Sequence, residues 1–322
     1  MTYLPEEWPI AAGMLQFPAV DHTGRVAQDA SGEEWHRAFR TIARAGFDLA
    51  ELPETWVRVA DLDPARRFEL LDAAAQAGIR IPSIAVIRRS IIDPVTGDEN
   101  LRYGHRAIDA AAAMGIGTVS FGLHRPLTPE QASRLWFWSA PGPADDPADA
   151  DAWRAAVAGF RELGDHAAEL GIELSLEMYE DTYLGTADSA VRLVRDIARD
   201  NVGINPDLGN LVRLHRPIED WRALVLAVAP YVNYWHIKNY FRDETPEGVI
   251  VTAPAPLELG FVDYRWAIQV VVEAGFSGTF VCEHYGGDGL SVAAANRDYI
   301  RRVLPEPGPT GYLPYRATQE HR

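Results

Sequence analysis

Four residues in the second half of the chain have the types and placement needed for metal-assisted chemistry: Glu177 in IELSLEMYED, Asp207 in VGINPDLGN, His236 in VNYWHIKNY and Glu283 in TFVCEHYGG. Each stands near the C-terminal end of an apolar segment rich in Val, Ile, Leu or aromatic residues, and a helix-like stretch follows each. One acid in such a place caps the next helix or forms an ion pair. Four in succession predict a shared ligand set. Three carboxylates and an imidazole make a hard, oxygen-dominated site for one divalent ion, Mn2+ first, with Mg2+ or Co2+ also suited. Strand alternation puts Ser175 on the face of Glu177 and turns Cys282 away from that of Glu283.

The elements that would carry these groups repeat. A helix-like segment ending in Gly and then an apolar strand recurs in ARAGFDLAEL, AQAGIRIPSIAVI, AMGIGTVSFGL, AELGIELSLEM and EAGFSGTFVCE. Glycine just past a helix end accepts the left-handed conformation that stops the helix. With the segments around Gly13, Gly203 and Tyr234 the count reaches eight strands. Strands alternating with helices such as PARRFELLDAAAQAG and DSAVRLVRDIARD predict a parallel sheet covered by helices. No GxGxxG follows the first strand, so a closed (β/α)8 barrel is expected over residues 1–304 as a single catalytic domain. In that fold the strand C-termini meet at one mouth, where active sites lie.

Two stretches break the rhythm. An insertion over residues 124–150 follows the fourth strand and carries Trp136, Phe137 and Trp138 before a Pro- and Asp-rich run. Such an excursion at a catalytic face serves as a lid or binding loop, or anchors against the barrel or a second subunit. His124 ends the fourth strand just before it and is the leading additional acid or base. The tail from Pro305 to Arg322 has too much Pro and Gly for a helix and is expected to run extended over the surface or onto a neighbour.

Composition narrows the partners. A formal net charge of -16 over 322 residues repels phosphate backbones and anionic membranes, so neither nucleic acid nor membrane is expected. The single cysteine, Cys282, excludes an intrachain disulfide. The N-terminus MTYLPEEWPI has no basic and apolar regions of a secretory signal, and a cytoplasmic protein is expected.

With these residues in view, the sequence resembles the sugar phosphate isomerase/epimerase family, divalent-metal enzymes on a xylose-isomerase-like TIM barrel. The family's Glu, Asp, His and Glu on strands five to eight look like Glu177, Asp207, His236 and Glu283. HIKN at 236–239 is similar to its His-x-Lys-Asp, with Asn239 in place of Asp, and LELGFVDY resembles its Gly-rich Val-Asp segment. The resemblance implies proton abstraction beside a carbonyl, through an enolate, on a keto sugar, with Glu177 and Glu283 exchanging protons from opposite faces. It implies substrate contacts from Arg242, six residues past His236, from Lys238, and from Asn210, where many relatives carry His.

The resemblance extends to the catalytic subunit of C-glycoside deglycosidases, which act on 3-keto sugars joined through carbon to an aromatic aglycone. His124 would supply the extra acid there, and Trp136 and Trp138 a wall for flat rings. Such enzymes work with a small partner subunit; a homo-oligomer is the other expectation. An AP-endonuclease-like hydrolase fits less well, because Asn210 replaces a ligand His, the Asp-x-His after strand seven is missing, and the chain is acidic. A non-catalytic sugar-binding role is the remaining class.

Overall fold

The structure is a computed structural model and describes residues 3–305. The expectation for the C-terminal tail falls, beyond Pro305, outside the described residues. In chain order come β1 (Ile10–Gly13), α1 (Gly32–Arg44), β2 (Ala50–Pro53), α2 (Pro64–Gln76), β3 (Ser83–Ala85), α3 (Gly97–Met114) and β4 (Thr118–Phe121). The insertion follows with a short α4 (Pro129–Ala132), then α5 (Ala150–Glu169), β5 (Glu173–Glu177), α6 (Ala187–Ile197), β6 (Val202–Asn205), α7 (Leu208–Val212) and α8 (Trp221–Val228). The chain ends with β7 (Trp235–Ile237), β8 (Asn239–Glu244), β9 (Ile250–Ala255), α9 (Tyr264–Glu273), β10 (Phe280–Cys282) and α10 (Gly289–Val303).

Eight strands form one parallel sheet in the order β6-β5-β4-β3-β2-β1-β10-β7, which is a nearly closed barrel. All eight expected strands are in it. Its seam lies between β6 and β7, where a single bridge pairs Ile204 with Val232 and the Asn205 side chain, through Oδ1, accepts the His236 N–H at 2.7 Å. The helices start and stop on local chemistry. Asp63 caps α2 by accepting from Arg66 N, and the Ser31 and Glu34 side chains form a reciprocal box at α1. Gly115 closes α3 with φ 69°, and the other four repeated glycines, Gly46, Gly78, Gly171 and Gly275, also have positive φ.

Alternation along β7 sorts core from site. Trp235 packs outward on Phe280, with ring centroids 5.5 Å apart, and on Tyr264 of α9. Tyr234 and His236 turn inward. β8 and β9 form an antiparallel hairpin after β7, paired from Asn239–Ala255 to Glu244–Ile250, which the sequence did not announce. Asn239 anchors its base: Nδ2 donates to Leu257 O and Val262 O, and Oδ1 accepts from Val262 N.

Candidate metal centre at the barrel mouth

Each predicted ligand arrives from the end of a different barrel strand. Glu177 is the last residue of β5, Asp207 lies two past β6, His236 is in β7, and Glu283 follows β10. In barrel order β10 lies on one side of β7, and β6 and β5 lie on the other. Asp207 also caps α7, its side chain accepting from Asn210 N, so this ligand is oriented by the helix it starts. Close approach requires glycine at two points. A Cβ on Gly13 would lie 2.8 Å from Glu283 Cγ, and one on Gly209 would run into the Lys238 side chain.

The four groups are buried together, Asp207 and His236 completely. His236 Nδ1 lies 3.8 Å from Glu177 Oε1 and 3.6 Å from Glu283 Oε1. It has no hydrogen-bond partner among the described residues. An unpartnered ring nitrogen between carboxylates is what a metal ligand needs. Within the site, Glu177, Asp207 and His236 bring ligand atoms close enough to share one ion, as do Glu51, His236 and Glu283. The residues fit a divalent ion.

Glu51, on β2, is the ligand-sphere residue that sequence reasoning missed. His236 Nε2 meets its Oε2 at 2.9 Å, and the Tyr234 hydroxyl donates to the same oxygen. A carboxylate behind the ring fixes the tautomer that leaves Nδ1 free for a metal. The signal was present in ARAGFDLAEL, where Glu51 is an acid inside an otherwise apolar strand.

The other candidates divide. Lys238 places its ammonium on both Asp207 and Glu283. Asn210 Nδ2 donates to Glu177 Oε1 at 2.8 Å and to Met178 O, which aims the glutamate. Arg242 stands elsewhere: its guanidinium donates to the carbonyls of Val212, Leu214 and Arg216 and pins the hairpin to the loop after α7. Backbone carbonyls claim the donors that a substrate oxygen would need. Arg125 and Arg213 are each taken up by a carboxylate, Asp145 at 2.7 Å and Glu180 at 2.9 Å.

The insertion roofs this centre. Trp136 and Trp138 stack with centroids 5.0 Å apart, Trp138 meets Tyr240 and Tyr285 edge-on, and its Nε1 donates to Thr252. Arg213 lies 4.7 Å from the Phe137 ring and 5.2 Å from that of Tyr179. His124 stacks on Tyr179 at 4.5 Å and lines a cavity beside Arg88, Tyr179 and Trp138.

Burial and charge set the proton affinities. Desolvation pushes His124 down to about 4, so the ring is neutral near pH 7. Desolvation pushes Asp207 up to about 7, with Glu283 and Glu177 adding to the rise against Lys238. Burial would raise Glu177 too, but the His236 contact overrides it and holds that carboxyl well below the usual range. Burial opposes a charge on His236, yet Glu51 and Glu283 raise it well above the ordinary value when no metal competes.

Fold and site together define a (β/α)8 barrel with a candidate metal centre at its mouth. The sequence pattern of the Xylose isomerase-like TIM barrel family matches residues 39–303, and the chain belongs to that family. A Xylose isomerase-like TIM barrel protein from Mycobacterium smegmatis, crystallised with magnesium, is 46% identical, with a TM-score of 0.89 over 94% of this chain and 98% of that one. L-ribulose-5-phosphate 3-epimerase UlaE of Salmonella paratyphi A is 23% identical over 293 residues, 86% of this chain and 93% of its own length. D-psicose 3-epimerase from Clostridium cellulolyticum H10, solved with D-tagatose, shares the fold at a TM-score of 0.65 and 15% identity, over 92% of this chain and 99% of that one. Among the described residues no helix is long and apolar enough to cross a membrane.

Proposed function

We propose that this protein is a divalent-metal-dependent sugar epimerase that removes and returns a proton on a carbon beside the carbonyl of a keto sugar. The observation that carries the reading is the pair Glu177 and Glu283, converging on the unpartnered His236 Nδ1 from the two sides of β7. The epimerase activity of UlaE supports it.

Glu177, Asp207, His236 and Glu283 would hold the ion, and an oxygen-rich set suits Mg2+ or Mn2+. A divalent ion there supplies fixed positive charge beside a carbonyl oxygen, which makes the neighbouring C–H acidic enough for a carboxylate to take its proton. Glu177 stands ionised and aimed by Asn210, ready to accept that proton on one face. Glu283 returns a proton on the other face, its second oxygen held by Lys238. Lys238 keeps two carboxylates together that would otherwise repel. The aromatic roof and Tyr179 exclude water from the exposed carbanion face.

A second reading, cleavage of a 3-keto C-glycoside, is favoured by one observation: His124, neutral and stacked on Tyr179, lines the cavity with Trp138, where an aromatic aglycone would lie. That reaction starts with the same proton abstraction and adds expulsion of the aglycone. An oligomer, or a small partner subunit on the insertion face, belongs to this reading.

The test is solvent deuterium uptake. Full-length protein with Mg2+ or Mn2+ is incubated in heavy water with free keto sugars and with 3-keto C-glycosides. Deuterium beside the carbonyl together with a new epimer supports the epimerase. Aglycone release without epimer selects the second reading. No uptake from any member of the panel, with the ion bound, sinks both.

A further inference from the structure

Outside the barrel, α3 and α5 lie side by side. Each carries a histidine and an acid one helical turn apart: His105 and Asp109 on α3, Glu162 and His166 on α5. Residues at that spacing share a helix face. Across the interface the pairing is reciprocal. His105 Nε2 meets Glu162 Oε1 at 2.8 Å, and His166 Nε2 meets Asp109 Oδ1 at 3.0 Å. The two Nδ1 atoms then face each other at 2.8 Å, the rings tilted by 37°.

A neutral imidazole has one N–H and one lone pair. Against an ionised carboxylate each Nε2 must donate, and that leaves a lone pair on each Nδ1. Two lone pairs at 2.8 Å repel, so the arrangement calls for a cation between the rings. A proton would serve. Three features favour a metal ion instead. Each ring is braced from behind by a carboxylate, as metal-bound histidines are. A tetrahedral ion ~2.0–2.1 Å from each nitrogen sets them ~3.3 Å apart, a widening of ~0.5 Å that two side chains absorb. The histidine side chains remain 27% and 25% exposed, so water can complete the shell.

We propose that His105 and His166 form a second, surface metal site for an ion of the Zn2+, Ni2+ or Cu2+ class. Two imidazole nitrogens select such ions over Mg2+ and Mn2+, the reverse of the barrel's preference. The bound ion links the helices on either side of β4 and its insertion. No residue of the barrel mouth takes part.

The test uses full-length protein with its barrel site saturated by Mg2+. Wild type, His105→Gln and His166→Gln are titrated with Zn2+ by calorimetry, and one equivalent of Cu2+ on the wild type is read by pulsed electron paramagnetic resonance. The proposal expects one Zn2+ per chain more in wild type than in either variant, or at least a tenfold weaker site in both variants. It also expects coupling to two imidazoles, where the barrel ligand set offers one. Equal stoichiometry and affinity in all three proteins, or a single coupled imidazole in the wild type, overturns it and leaves a proton between the rings.

Discussion

The floor and the roof of the mouth are built by opposite means. The floor takes its groups from strand ends that the barrel's hydrogen bonds hold in place, and nearly every polar atom there has a charged partner: Lys238 on Asp207 and Glu283, Glu51 on His236, Asn210 on Glu177. The roof comes from a loop between β4 and α5. Aromatic edges and stacks hold its Trp136–Trp138 part over the mouth, with Trp138 to Thr252 as a polar tie, while Arg125 to Asp145 and Tyr183 to Asp145 and Asp146 fasten the ends of the loop. The difference teaches that charge placement here is rigid and specific, whereas coverage is apolar and adaptable. Changes in the floor should therefore cost chemistry, and changes in the roof should cost binding.

The largest effect is expected at the floor. Glu283→Gln keeps the shape but removes the acid that returns the proton, and epimer formation should fall by about 10³-fold. If epimer formation falls less than tenfold, Glu283 is not the proton donor. The next tests His124, which joins floor to roof. Its folded-state affinity for a proton is depressed to about 4 from the ordinary 6.5, so the unfolded chain binds that proton first. Stability tied to this ring is fully present above pH 6.5 and is lost as pH falls from 6.5 toward 4, about 3 kcal/mol in all. Denaturant unfolding of wild type and His124→Gln across that window should show a shallower acid loss in the variant.

Glu51→Gln ranks third. It frees the ring that Glu51 orients, and Mg2+ affinity should drop 10- to 100-fold with the fold intact, as direct titration would show. The smallest effect is expected at the roof, where Trp138→Ala should raise KM about tenfold and leave kcat within a factor of two or three, the signature of binding shared by ground and transition states. An equal loss in kcat would mean that the roof positions reacting atoms, and the contrast would fail.

Much of this was legible because the controlling physics is local. Glycine at helix ends and apolar runs marked the eight strands, and an acid or imidazole at a strand end marked the candidate ligands that the barrel brings together. What was hidden depended on contacts between distant segments. Lys238 and His236 share a strand face, but nothing near Lys238 indicates that its charge lands on Asp207 and Glu283 at once. Arg242 had a suggestive spacing from His236, yet the unannounced hairpin delivers it to the carbonyls of the 212–216 segment. Glu51 lies 185 residues from the ring it braces. Asn210 has the most local logic of the group, since the helix capped by Asp207 carries it to Glu177.

The seam between β6 and β7 has a consequence for how the barrel comes apart. Elsewhere the parallel neighbours are stitched by ladders, but here one backbone bridge and one side-chain amide join the edges. A cylinder opens first where its edges are least joined, so amide hydrogens of β6 and β7 should exchange ahead of those in β4 and β5. Asp207 and His236 lie on opposite sides of that gap, and whatever they grip in common works as a clasp. Occupancy of the mouth would then be written into the lifetime of the whole cylinder, and a chain emptied of its ligand would begin to unroll beside its own active groups.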